Sequence, residues 1–184
     1  MRHAILGAGG VGGLIGAVLA KSGDAVTLLL RPEALNDYPP ELSLESPLGQ
    51  FTVPVDRAAE VAQPYDVLWI TVKATQLESA LRCIVVQPEW LGAIVPLLNG
   101  IDHVALLRSR FGHERVVPAT IAVESERVSP GKIIHRSPSA RLSVSLIGQA
   151  RLASTIEKLR QFGFTCHFDA DEQKILWSKL AFLG

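Results

Sequence analysis

The chain has 184 residues, 48% of them apolar and 20% charged, and its 18 basic side chains are matched by 18 acidic ones. This composition supports a buried core and excludes disorder as the main state, while zero net charge offers no field that would attract nucleic acid or an anionic membrane. The apolar runs are too short to span a bilayer, and no basic start leading into a long apolar stretch marks a secretory leader.

In chain order, the strand Ala4-Ile5-Leu6 leads through a Gly-rich turn into a helical stretch ending near Ser22. Residues 25–30 and 66–72 read as further strands, apolar on both faces as parallel strands covered by helices are. Between them, residues 42–55 have the composition of a hairpin around Ser46-Pro47-Leu48-Gly49. A helix is predicted over 75–86, a strand over 93–98, a helix over 102–110 and a strand over 115–120. Residues 131–135 and 142–147 alternate as antiparallel strands do. A helix over 152–162, a strand over 165–168 and a helix over 172–183 follow. The alternation of β and α segments predicts an α/β fold, doubly wound around a mostly parallel sheet with added antiparallel strands.

The first turn carries the most chemistry. Gly7-Ala8-Gly9-Gly10-Val11-Gly12 matches G-x-G-x-x-G and lies directly between a strand and a helix, the context required of a dinucleotide-binding fingerprint. Gly7 can make the tight turn, Gly9 lets a diphosphate approach the backbone, and Gly12 lets the helix sit close to the sheet. Gly13 and Gly16 extend the small-residue face and read as packing positions. The second strand selects the cofactor. Its end reads Leu28-Leu29-Leu30-Arg31, with arginine where NAD sites usually carry an acidic residue, so NADP(H) is preferred. Lys73 follows the strand over 66–72, at the sheet edge where ligands bind. Asn99-Gly100 follows the strand over 93–98, and a plain turn would explain it equally well.

Lys179 shares a helical face with Ile175, Leu176, Phe182 and Leu183, and Glu172 projects near that face. Such a lysine either lays its stem on apolar surface with its head in water, or holds a partly desolvated ammonium able to donate a proton. The histidines His3, His103, His113, His135 and His167 are scattered and read as structural, and no metal set is seen. Cys83 and Cys166 have no metal-like spacing and read as reduced thiols of a cytoplasmic protein.

Together Gly7–Gly12, Arg31, Thr71-Val72-Lys73-Ala74, Leu97-Leu98-Asn99-Gly100 and Leu176-Trp177-Ser178-Lys179-Leu180-Ala181 resemble the ketopantoate reductase (2-dehydropantoate 2-reductase) family. The resemblance implies a Rossmann-type domain and NADPH-dependent reduction of 2-dehydropantoate to pantoate, toward pantothenate and coenzyme A. It implies Lys179 as proton donor and Asn99 as the bridge between cofactor and a small 2-keto acid substrate. It also places Arg31 and Lys73 near the 2′-phosphate and gives Ala122 a backbone contact to the cofactor. Residues 1–168 would form the NADP-binding domain. Residues 169–184 would begin a helical C-terminal domain that is otherwise absent, leaving either a fragment or a protomer of a homo-oligomer completed through the exposed last helix. Leu183 stands where the family often has a substrate-binding asparagine. Two alternatives stay open: a reductase of another 2-keto acid, and a noncatalytic NADP(H)-binding module.

Overall fold

The computed structural model describes residues 1–85 and 87–181, with side chains as far as Trp177. In chain order, β1 (Arg2–Leu6), α1 (Gly10–Lys21) and β2 (Ala25–Leu29) precede β3 (Glu41–Ser46), β4 (Gly49–Pro54), β5 (Asp56–Ala58) and β6 (Tyr65–Ile70). A short α2 (Leu77–Ala80), β7 (Leu91–Pro96) and α3 (Asp102–Phe111) follow. The rest runs β8 (Ala119–Ala122), β9 (Ser125–Ser129), β10 (Lys132–His135), β11 (Arg141–Ser145), α4 (Gln149–Phe162), β12 (Thr165–Asp169) and α5 (Glu172–Ala181).

The central sheet is parallel, in the order β5-β2-β1-β6-β7. Alternate residues of its strands feed two cores. Ile5, Leu28, Val67 and Trp69 join Leu14 and Val18 of α1 on one side. Ala4, Leu6, Leu68 and Ile70 join Leu77 of α2 and Leu107 of α3 on the other. Burial on both faces explains why these strands show no polar alternation. The strand order reverses between β1 and β6, and open α/β sheets bind their ligands in the crevice beyond such a switch point.

A second sheet, β4-β3-β10-β9, covers the far side of α1. The helix approaches it so closely that a Cβ on Gly13 would fall 2.3 Å from Ile133 Cδ1, which bears out the packing role of that glycine. A third sheet, β12-β11-β8, turns Ile121, Leu142, Val144 and Cys166 into the first core and leaves a polar opposite face.

Several expected elements differ. The helix over 75–86 is instead a chain of short turns: a 3-10 turn at Ala74–Gln76, α2, and a second 3-10 turn at Leu81–Cys83. Ile84 has left helical geometry (φ −103°, ψ 82°), where the β-branched run begins, and Val86 lies outside the described residues. The strand over 115–120 is split at Pro118, which has no N–H to donate. Val116 makes one parallel bridge to Ile94, while Ala119–Ala122 joins the third sheet. The segments over 131–135 and 142–147 belong to different sheets. β10 is antiparallel to β9 but parallel to β3, and β11 is antiparallel to β8 but parallel to β12. The polar edge strands β5 and β9 were not expected at all. The last helix is described to Ala181, so the predicted end at 182–183 lies outside the described residues.

Candidate functional site

β1 ends at Leu6, and Gly7 turns the chain with φ +108°, a conformation that L side chains rarely adopt. The turn is closed by Gly9 N–H donating to Gly7 O at 2.8 Å. Thr71, just past β6, locks it from the side, its Oγ1 donating to Gly7 O at 2.6 Å. Space is as tight as the motif implies at Gly12, where a Cβ would lie 2.2 Å from Gly7 O and 2.4 Å from Thr71 Oγ1. Gly9 differs, because nothing stands within 4 Å of its Cβ position. No side chain caps the start of α1 and no acidic residue occupies its first turn. The amides of that turn are left for an external acceptor, and the helix dipole favours an anionic one. These features suit a diphosphate.

A cleft of about 890 Å³ opens beyond the sheet's carboxyl edge. Val11, Lys73, Asn99 and Ala122, drawn from four separate stretches of sequence, all line it. Arg31 is not among the lining residues. It follows β2, its side chain is 83% exposed, and Glu33 Oε1 stands 3.6 Å from its Nε. Glu33, two residues on, is the carboxylate of this pair. A pair this exposed is weak and leaves the guanidinium free to change partners.

The opposite wall is the polar face of the third sheet, and sequence reasoning missed it. Arg141, Ser143 and His167 line the cleft there, with Ser143 Oγ and His167 Nε2 2.9 Å apart. Lys174 and Asp169 form an ion pair of 2.9 Å at the rim, which raises the lysine's pKa and lowers the carboxyl's. Alternation in Arg141-Leu142-Ser143-Val144-Ser145 was the available signal, since the polar residues share one strand face.

Lys179 lies within α5, but its side chain is outside the described residues. Glu172, read as projecting near its face, is held by two other elements. Arg108 Nη2 donates to both of its carboxylate oxygens at 2.9 Å, and Ser145 Oγ donates to Oε1 at 2.7 Å. This joint ties the start of α5 to α3 and β11. His3 is buried and structural. Its Nδ1 accepts from Trp69 Nε1 at 3.3 Å, and its Nε2 lies 3.1 Å from Asp24. His135 is likewise enclosed, between the Ser46 and Ser137 hydroxyls at 2.8 and 3.0 Å. Among the described residues no group of histidines, cysteines and carboxylates can hold a metal. None of their helices is long and apolar enough to cross a membrane.

A parallel sheet with a glycine turn at its switch point defines a Rossmann-like α/β domain. The family model for Ketopantoate reductase PanE/ApbA matches residues 3–149, and the chain belongs to that family of oxidoreductases. The uncharacterized oxidoreductase YkpB of Bacillus subtilis is 33% identical over 144 residues, 77% of this chain and 47% of that protein. The 2-dehydropantoate 2-reductase of Caulobacter vibrioides is 33% identical over 143 residues, covering 72% and 45% of the two chains. The chain thus spans about half the length of these two curated relatives. Among solved structures, 2-dehydropantoate 2-reductase from Geobacter metallireducens superimposes with a TM-score of 0.81 at 30% identity, over 99% of this chain and 62% of that one. The fold is shared with D-mandelate dehydrogenase in its ternary structure with NADH and anilino(oxo)acetate, at a TM-score of 0.79 and 23% identity, over 97% and 60% of the chains.

Proposed function

We propose that this chain is the cofactor-binding part of an NADPH-dependent reductase that converts 2-dehydropantoate to pantoate, a step toward pantothenate and coenzyme A. The observation that carries the reading is the convergence of Val11, Lys73, Asn99 and Ala122 on one cleft beside a glycine turn whose Gly9 is open. When bound, the reduced nicotinamide supplies a hydride to the keto carbon. The chain's own residues do the rest. The amides of residues 10–12 and the α1 dipole hold the diphosphate, and Arg31 and Lys73 neutralise the 2′-phosphate. Ala122 adds a backbone contact. The Asn99 amide orients the keto oxygen, and the Lys179 ammonium gives that oxygen the proton that completes the 2-hydroxy acid.

Both cysteines are free, which suits the reducing cytoplasm in which we place the protein. A second reading keeps the site and changes the substrate to another 2-keto acid. It is favoured by Leu183 at a position where the family often has asparagine, and by similarity to proteins as different as YkpB and D-mandelate dehydrogenase. The chain by itself is expected to bind NADPH but to turn over 2-keto acids poorly or not at all. The two readings are therefore separated by mixing a full-length protein that carries this chain, loaded with NADPH, with a panel of 2-keto acids and following nicotinamide oxidation. Fastest oxidation with 2-dehydropantoate is expected. Faster oxidation with another acid would assign the second reading, and none with any acid would refute both.

A further inference from the structure

The second sheet delivers a cation to the glycine turn that the fingerprint does not include. Its edge strand β9 lies against the turn. Ser125 Oγ donates to Gly10 O at 2.9 Å, and a Cβ on Gly10 would fall 2.0 Å from Ser125 O. Further along the strand, Arg127 Nη1 donates to Ala8 O at 3.3 Å. The adjacent acid Glu126 is engaged by Arg136 at 3.3 Å, and among the described residues Arg127 has no carboxylate partner. Burial raises the pKa of the Tyr38 phenol, and the charge of Arg127 is among the influences opposing that rise, which puts the guanidinium near Tyr38 as well. Tyr38 belongs to the segment that follows β2 and begins with Arg31. Arg127 therefore stands between the glycine turn and the loop that follows the second strand.

An exposed arginine on an edge strand normally extends into water. This one is anchored on the carbonyl of Ala8, the residue before Gly9, with most of its five N–H donors unspent. A planar guanidinium held on a phosphate-binding turn matches the geometry of a diphosphate oxygen pair.

We propose that Arg127 is a cofactor-binding residue that contacts the diphosphate common to NADH and NADPH. The assignment rests on the cofactor reading above and divides the work with Arg31. Arg127 contributes to both nucleotides alike, whereas Arg31 acts only on the one with the extra phosphate.

The test is calorimetric titration of the wild-type chain, R127A, R127K and R127M with NADPH and with NADH. Loss of a charge-assisted hydrogen bond corresponds to about tenfold or more in affinity. R127A and R127M should weaken both nucleotides by the same factor, with R127K intermediate because it keeps the charge without the fork. Their thermal unfolding should match wild type, since the side chain is exposed. Unchanged affinity for both nucleotides would overturn the assignment. So would a loss confined to NADPH, which would move Arg127 to the 2′-phosphate. Absence of binding by the wild-type chain itself would instead overturn the cofactor reading, and this assignment with it.

Discussion

Gly9 and Gly12 occupy the same turn, yet the structure predicts opposite outcomes when each becomes alanine. At Gly12 the new methyl would lie 2.2 Å from Gly7 O and 2.4 Å from Thr71 Oγ1. The nearer contact is backbone, so relief requires α1 to move off the sheet. Overpacking of this kind costs about 1–3 kcal/mol, and more where the backbone itself must shift. At about 2–4 °C per kcal/mol for a domain of this size, Gly12→Ala should lower the melting temperature by roughly 5–10 °C. Gly9 has φ −87° and ψ −161°, an extended conformation open to any residue, and its methyl would meet nothing within 4 Å. Gly9→Ala should therefore leave stability unchanged or raise it by about 0.4–1 kcal/mol through the unfolded chain. The methyl would, however, stand in the path of a diphosphate. Two charge-assisted hydrogen bonds lengthened by its bulk give an affinity loss of at least about tenfold. Differential scanning calorimetry and NADPH titration on the two variants read both quantities. Wild-type NADPH affinity in Gly9→Ala would refute the idea that the open side of Gly9 is the approach path. A fall in melting temperature as large as that of Gly12→Ala would refute the packing reasoning.

Three further outcomes follow from the same geometry. Arg31→Ala should weaken NADPH by at least about tenfold and leave NADH nearly unchanged, as expected for loss of a guanidinium–phosphate contact; equal losses in parallel titrations would remove Arg31 from 2′-phosphate recognition. In a full-length protein that carries this chain, Lys179→Ala should lower kcat by about 10²–10⁴-fold with chemistry rate-limiting, the range for a general acid, and unchanged kcat would exclude it from proton transfer. The third concerns pH. Burial holds the His3 pKa below its usual value despite the opposing Asp24, so the unfolded chain takes up that proton first on acidification. His3 therefore contributes stability that is present above about pH 6.5 and is lost as pH falls below it. Asp24 loses ground only lower still. Its burial favours the neutral acid, but Lys158, the N-terminal amine and His3 outweigh burial and depress its pKa, so its contribution fades as pH falls below about 3.8. Urea unfolding between about pH 7 and pH 5 should show stability decreasing with acidification, with a shallower slope in His3→Gln; identical slopes would exonerate His3.

The parts of the molecule that could be read from sequence are those set by local pattern. β1, β2 and β6 stand out because burial on both faces makes them continuous apolar runs, and the glycine turn stands out because it sits between a strand and a helix. Lys73 and Asn99 could be placed because ligands gather at the carboxyl ends of such strands. What escaped was non-local. Ser125-Glu126-Arg127-Val128-Ser129 has no apolar period, because β9 is an exposed edge strand held by its pairing with β10 and its contact with the glycine turn. Nothing in Glu41–Ser46 announces that its second neighbour, β10, runs parallel to it. The 75–86 segment has helical spacing but ends on the β-branched run Ile84-Val85-Val86 and has no capping side chain at its start, and its described part, Ala74 to Cys83, folds as successive short turns. The Arg141–Ser143–His167 wall required knowing that β11 pairs with β12, a contact across 24 residues between Ser143 and His167. The contacts of Arg108 and Ser145 with Glu172 join elements far apart in sequence, which helical spacing around Lys179 could not announce.

One titration bears on the whole reading: the wild-type 184-residue chain with NADPH and, separately, with NADH, followed by calorimetry. Saturable binding of both is expected, tighter for NADPH, because in the proposed reading the amides around Gly9 hold what the two nucleotides share and Arg31 acts only on what distinguishes them. Folded protein that gives no saturable heat with either nucleotide would contradict the assignment of the glycine turn and its cleft to a nicotinamide dinucleotide.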